Sequence, residues 1–336
     1  MKFKYMAAAT AMLALAGVAH GQAIITNGTI KLGVNALGAL NVGGGVVSAQ
    51  GSTTTVGLRL LTGGLEYEST SDGCTCEGWG AGIASGVGAG ATGYNNTWSG
   101  SAGLTFVSAT AYGAGTSYKV VSTIGGMLKV THDYHPSTST NLYQVDVTIE
   151  NITGGTLGDA VTGIVYRRVM DWDIEPTAFS ERVNLKGWPA TNLWRTSDDG
   201  FRSANVLSSS GGSICAGAGP NADFSDSGPC DHGALFDFKF GALAAGASIS
   251  FKTFYGAATT EAVLLSAMSA QGVAVYSDAA CSSGFAVGAC PAIHGFGFAG
   301  VGGTVIPDPI VPEPSTWLLT GTGLLGVIAT ARRRRA

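Results

Sequence analysis

The chain has 336 residues, 45 % of them apolar and 12 % charged, with 52 glycines, about twice the usual share; that much apolar surface supports a large core and excludes a disordered chain. Of 18 basic and 22 acidic residues, six bases (Lys2, Lys4, Arg332, Arg333, Arg334, Arg335) and one acid (Glu313) lie in the two end segments, so the body keeps 12 against 21, a net charge of −9. Such a body repels phosphate backbones and offers no basic stripe between Ala23 and Val311, which excludes nucleic acid as a partner.

Residues 1–23 combine a Lys-bearing start, an apolar run from Met6 to Val18 and small residues at Ala19, Gly21 and Ala23. That order reads as a secretory signal peptide cleaved near Gly21 or Ala23, so the mature chain leaves the cytoplasm. Residues 24–304 follow without a composition shift and are expected to form one domain. Short runs rich in Val, Ile, Thr, Tyr and Phe, interrupted by Gly, Ser or Asn clusters, predict strands over 29–34, 56–60, 104–111, 118–123, 127–134, 142–150, 161–173, 234–240 and 248–255. Val145, Val147 and Ile149 alternate with Gln144, Asp146 and Thr148, giving one core face and one wet face. The expected fold class is all-β, a large two-sheet antiparallel β-sandwich with one short packed helix and long Gly-rich loops. The helix is opened by Thr259 or Thr260, carries Glu261 in its first turn and ends at Gly272, with Ala262, Leu265, Met268 and Ser269 as its packing stripe. Residues 305–311, with Pro307 and Pro309, read as a stiff spacer.

Two Gly-rich stretches, 78–93 and 208–219, are expected as long surface loops. Gly88, Gly90 and Gly93 satisfy G-x-G-x-x-G, but no predicted strand precedes them and no helix follows, so they carry no dinucleotide reading. The six cysteines suit an oxidising compartment. Cys215 with Cys230 and Cys281 with Cys290 are expected as local disulfides; Cys74 and Cys76 are left with each other, a tight pairing that the spacing leaves open. Scattered single cysteines do not form a zinc ribbon.

Nothing in the sequence assigns a catalytic residue: G-x-S-x-G, Walker A and H-E-x-x-H are all absent. His132 and His135 fall on opposite faces of an extended chain and read as hydrogen-bonding residues rather than metal ligands. Continued as a strand, the segment from Tyr166 to Pro176 places Arg167, Asp171, Asp173 and Glu175 on one face and Trp172 on the other. Asp171, Asp173 and Glu175, with Trp172, Trp188 and Trp194 as stacking platforms, form a candidate ligand face for a sugar or calcium. The competing reading is a charge ladder in which Arg167 and a cross-strand partner neutralise the acids while the tryptophans fill the core. Asp223, Asp226 and Asp231 form a second, weaker calcium candidate: residues 223–228 copy the start of a calcium loop, but Ala234 stands where its bidentate Glu belongs. No other cofactor is expected.

The C-terminus runs Val311-Pro312-Glu313-Pro314-Ser315-Thr316, then an apolar stretch from Trp317 to Ala331, then Arg332 to Arg335. At about 1.5 Å per helical residue the apolar stretch covers roughly 22 Å, enough for a thinned bilayer, and the arginines hold the tail in the cytoplasm. Residues 312–336 thus resemble the PEP-CTERM sorting signal of Gram-negative bacteria, which is processed by the membrane enzyme exosortase. The resemblance implies recognition at Pro312, Glu313 and Pro314, passage through the export machinery, transient inner-membrane retention and transfer to the cell surface or exterior. It also implies cells that make exopolysaccharide and grow as flocs or biofilms, which makes extracellular polysaccharide an expected partner. The stretch 166–255, with Asp171-Trp172-Asp173 and the run from Asp231 to Phe238, looks like a segment of other exported bacterial β-proteins and implies no catalytic residues. The function expected from all this is a structural or adhesive surface or matrix protein without enzymatic activity. The alternative is a secreted carbohydrate-binding or carbohydrate-active protein using the acidic and Trp residues.

Overall fold

The computed structural model describes residues 21–51 and 53–307; most of the segment expected as a signal peptide, the end of the expected spacer and the sorting signal lie outside them. In chain order the strands begin with β1 (Ala23–Thr26), β2 (Ile30–Val34), β3 (Leu58–Thr62), β4 (Leu65–Glu68), β5 (Glu77–Ile83), β6 (Thr92–Asn96) and β7 (Gly100–Ala102). Next come β8 (Leu104–Tyr112), β9 (Ser117–Ile124), β10 (Leu128–Pro136), β11 (Leu142–Asn151), β12 (Ile164–Asp171) and β13 (Glu181–Lys186). Then β14 (Leu193–Ser197), β15 (Phe224–Cys230), β16 (Gly233–Phe240) and β17 (Ser248–Ala258) precede the helix α1 (Glu261–Ala270), which β18 (Val275–Ala280) and β19 (Ile293–Ala299) follow.

These strands form three antiparallel sheets, which makes the described chain mostly β with a single α-helix. A nine-stranded sheet, β15-β13-β18-β19-β17-β11-β10-β9-β8, faces a six-stranded sheet, β14-β16-β12-β5-β6-β7. Aromatic side chains interlock across the gap: Tyr166 of β12 meets Phe251 of β17 edge-on at 5.0 Å, and Phe238 of β16 lies 4.7 Å from Phe298 of β19. A third sheet, β1-β2-β3-β4, contributes Ile25, Ile30, Leu32, Leu58 and Leu60 to the same hydrophobic cluster.

Where one face is core and the other wet, the alternation in the sequence is the alternation in space. In β11, Val145, Val147 and Ile149 are buried while Asp146, Thr148 and Glu150 are half-exposed. The helix starts where its cap chemistry requires: the Thr260 hydroxyl accepts from the Val263 N–H, and Gly272 follows with a positive φ. Of the expected packing stripe Met268 is buried, but Leu264 takes the place of Leu265 as the other buried position, and Ala262, Leu265 and Ser269 are only half-buried. The two buried side chains nest over Gly256 of β17 and Gly295 of β19, where an added Cβ would come within 2.8 Å of Leu264 and 2.9 Å of Met268.

The stretch 78–93 is not a surface loop. Its first half is β5, buried along its whole length and paired with both β12 and β6. Trp79, Ala81 and Ile83 point into the core, while Gly78, Gly80 and Gly82 occupy the opposite face against backbone. A Cβ on Gly80 would sit 2.0 Å from the Ala204 carbonyl oxygen, so the segment after β14 can lie directly on the sheet only because that position has no side chain. This segment makes the outer face of β12 a second interior, which is why all eight residues of β12 are buried and show no alternation. The second Gly-rich stretch, 208–219, belongs to the same covering. Its start is tied to the sheet by Arg167, which donates to the carbonyls of Ser208 and Ser209, and its middle by Asp198, which accepts from the N–H groups of Ile214 and Cys215.

Candidate carboxylate site

Strand β12 ends at Asp171, but the chain stays extended beyond it. The Asp171 N–H donates to the Cys76 carbonyl at 3.0 Å and the Asp173 N–H to the Ser69 carbonyl at 2.7 Å, so these residues run alongside 69–76. The period of two continues: Trp172 and Ile174 turn into the hydrophobic core, and Asp171 and Asp173 turn the other way. The two-residue link from β15 to β16 passes beside them. It brings Asp231 into a group in which Asp171, Asp173 and Asp231 each offer a carboxylate oxygen within 4.8 Å of the others. Asp171 and Asp173 are buried and Asp231 is exposed. Glu181, the buried first residue of β13, completes the surroundings.

No lysine or arginine among the described residues pairs with these four carboxyl groups, whereas Arg168 reaches Glu77, Arg167 and Arg195 reach Asp237, and Arg59 reaches Glu68. Oδ1 of Asp171 and both carboxylate oxygens of Asp173 have no hydrogen-bond donor. The Cys74 sulfur lies 3.3 Å from Oδ2 of Asp171, but it is a disulfide sulfur and has no proton to give. Burial pushes the Asp171 carboxyl well above the ordinary range, helped by the negative charges of Asp173, Asp231, Glu181 and Asp199. Burial also pushes Asp173 up to about 8, with Asp231, Asp72 and Glu68 adding to the rise. Glu181 reaches about 9, again mainly through burial, while the backbone N–H groups of Ser180 and Glu181 itself temper the rise. Beside the cluster a surface depression opens, lined by Ser71, Asp72, Gly73, Glu175 and Phe179 among others.

The structure divides the residues expected to form one ligand face. Glu175 faces the third sheet, where its carboxylate accepts from Ser48 Oγ and from the Glu68 N–H. Trp172 is no stacking platform: it is fully buried, donates its indole N–H to Ser277 at 3.1 Å and packs against Phe296. Trp188 and Trp194 are half-buried, and the Arg195 guanidinium lies 3.8 Å over the Trp194 ring. Arg167 makes a charge pair with its cross-strand neighbour Asp237 at 2.6 Å, and the acids beyond β12 take no part in it.

The second calcium candidate also comes apart. Asp223 precedes β15 and accepts from the Trp188 N–H, and Asp226 within β15 pairs with Arg182 at the surface. Only Asp231 of the three belongs to a group that can share an ion. Strand β15 is the reason, because an extended segment separates residues that a compact calcium loop would gather. The fully buried His132 is hydrogen-bonded to the Tyr166 hydroxyl, and His135, half-exposed on the other face, bonds Asp146. The cysteines form three disulfides, Cys74–Cys76, Cys215–Cys230 and Cys281–Cys290. The partnership of Asp171 and Asp173 with Asp231 and Glu181 has no local signature. The one hint in the sequence is a group of acids at predicted strand ends with too few bases to match them.

The sorting signal lies outside the described residues, yet its sequence decides what the tail is. Residues 311–335 match the family model of the PEP-CTERM protein-sorting motif. The chain carries an exosortase-type sorting signal. The PEP-CTERM motif marks it as an exported protein and makes exosortase its processing partner, with Pro312, Glu313 and Pro314 inside the matched span. No curated protein matches the chain. Among the described residues no helix is long and apolar enough to cross a membrane, and the apolar run 317–331 lies beyond them.

Proposed function

We propose that the mature body, residues 24–304, is a structural or adhesive component of the cell surface or extracellular matrix of a polysaccharide-producing cell. In this reading it is held briefly at the inner membrane through 317–331 and then released. The observation that carries it is the match of 311–335 to the PEP-CTERM motif, coupled to an export-type leader at the other end of the chain. Three disulfides and a low density of charge suit a protein that persists outside the cell without a reducing pool. No catalytic role is assigned to Asp171 and Asp173, which are buried.

A groove of about 380 Å³ favours the carbohydrate-binding alternative, because Trp188, Tyr276, Lys186 and Asp223 line it and combine aromatic faces with polar groups. Three measurements test the proposal. Intact mass of the protein recovered from medium or cell surface is expected to show a chain starting near Gln22 or Ile24 and lacking Arg332 to Arg335; a mature form that keeps those arginines refutes exosortase release. Deleting the protein is expected to change floc or biofilm cohesion. Glycan cleavage by the purified protein, lost in a Trp188→Ala variant, would replace the structural reading with the enzymatic one.

A further inference from the structure

We propose that Asp171, Asp173 and Asp231 form a binding site for one calcium ion. Their oxygens already lie within 4.8 Å of one another, a spacing that a single cation bound at the usual 2.3–2.6 Å can bridge. The cluster alone would not carry the assignment. The second observation is Asp173, fully buried, with one carboxylate oxygen in the group and no donor on either of its two. A buried carboxylate in a folded protein is ordinarily matched by a cation or by several N–H groups. Elsewhere in this molecule that rule holds for Glu77, Asp237 and Glu68, each matched by an arginine.

The chemistry selects the ion. All the ligands are carboxylate oxygens, which suit a hard cation. The nearby soft or nitrogen donors are engaged, the Cys74–Cys76 sulfurs in their disulfide and both ring nitrogens of His232 with Asp198 and the Ser227 carbonyl. Magnesium keeps most of its water and demands near-ideal octahedral geometry, whereas calcium accepts an irregular set of several carboxylates. Asp231 is exposed and gives the ion a way in, with solvent water able to fill the remaining positions. Glu181 is buried in the same region. Bound there, calcium would tie three segments together: the end of β12, the link from β15 to β16, and the Cys74–Cys76 turn that packs on Asp171. This assignment stands apart from the surface role proposed above, and either can fail without the other.

Isothermal titration of the full mature protein, stripped with EGTA, with calcium chloride alone is expected to show one site per chain, with a dissociation constant on the order of 10⁻⁴ to 10⁻³ M or tighter. Magnesium chloride should bind at least tenfold more weakly. Asp173→Asn and Asp231→Asn should each weaken calcium at least tenfold. Asp231→Asn changes an exposed residue and so keeps the test valid if Asp173→Asn fails to fold. Asp226→Asn, outside the cluster, should leave binding unchanged. Absence of binding up to 10-fold above that range, or a calcium response that survives in Asp231→Asn, overturns the assignment.

Discussion

Removing Arg168 tests whether the interior is held by charge as well as by apolar packing. Its Nε donates to Glu77 Oε1 at 2.6 Å, and the same oxygen accepts from the Tyr255 hydroxyl at 3.0 Å while Oε2 accepts from the Leu40 N–H at 2.5 Å. The guanidinium also lies 5.3 Å over the Tyr255 ring and donates to the Gly38 carbonyl. One pair therefore joins β5 and β12 of the six-stranded sheet to β17 of the nine-stranded sheet and to the chain after β2, with both side chains shut off from solvent. With charge centres roughly 4 Å apart and an effective dielectric constant of about 20, the attraction is about 4 kcal/mol. Arg168→Met keeps the aliphatic stem and leaves Glu77 charged and buried with two neutral donors, so the expected loss is about 3–5 kcal/mol. Against a typical total of about 5–15 kcal/mol, that loss is decisive. The double variant Arg168→Met/Glu77→Gln should cost less than the sum of the single losses, because no uncompensated charge remains. Urea denaturation of the disulfide-intact protein, with the slope held constant across variants, measures all three. A single-variant loss below about 1 kcal/mol, or strict additivity in the cycle, refutes the reasoning.

Gly80→Ala should destabilise by about 1–3 kcal/mol or more, because the atom in the way is the Ala204 backbone carbonyl rather than a movable side chain, while Gly154→Ala, with nothing within 4 Å, should be near neutral in the same denaturation assay. The fully buried His294, whose Nε2–H donates to the Tyr67 carbonyl, is pushed by burial from 6.5 down to about 3. The unfolded chain then binds the extra proton across that window, so stability from this group is complete above pH 6.5 and falls as the pH drops towards 3, by up to about 1.4 kcal/mol per pH unit. His294→Gln should flatten that part of the stability–pH curve, and a slope identical to that of the parent would show that the ring is solvated.

Signals carried by neighbours along the chain were legible without a structure. The Pro312-Glu313-Pro314 tail, the alternation of Val145, Val147 and Ile149, the Thr260 cap with Gly272, and the short Cys215–Cys230 and Cys281–Cys290 separations each lie within one short window. Such features depend on backbone periodicity, cap hydrogen bonds and loop length, which act over a few residues. What could not be read was decided by residues distant in sequence. Strand β5 is written in glycine because Ala204, more than a hundred positions later, crosses it, and β12 lacks alternation because that same crossing segment gives it a second buried face. Arg167 and Arg168 are each buried on a different side of one sheet, with Asp237 and Glu77 as partners supplied by other strands. The carboxylate site has the same origin. Asp171 and Asp173 lie at the end of one strand and Asp231 at the end of another some sixty residues on, and only the antiparallel pairing of β12 with β16 puts them in reach of one another. A strand pairing brings distant residues together at fixed register, and no local pattern in either strand records which partner the other will supply.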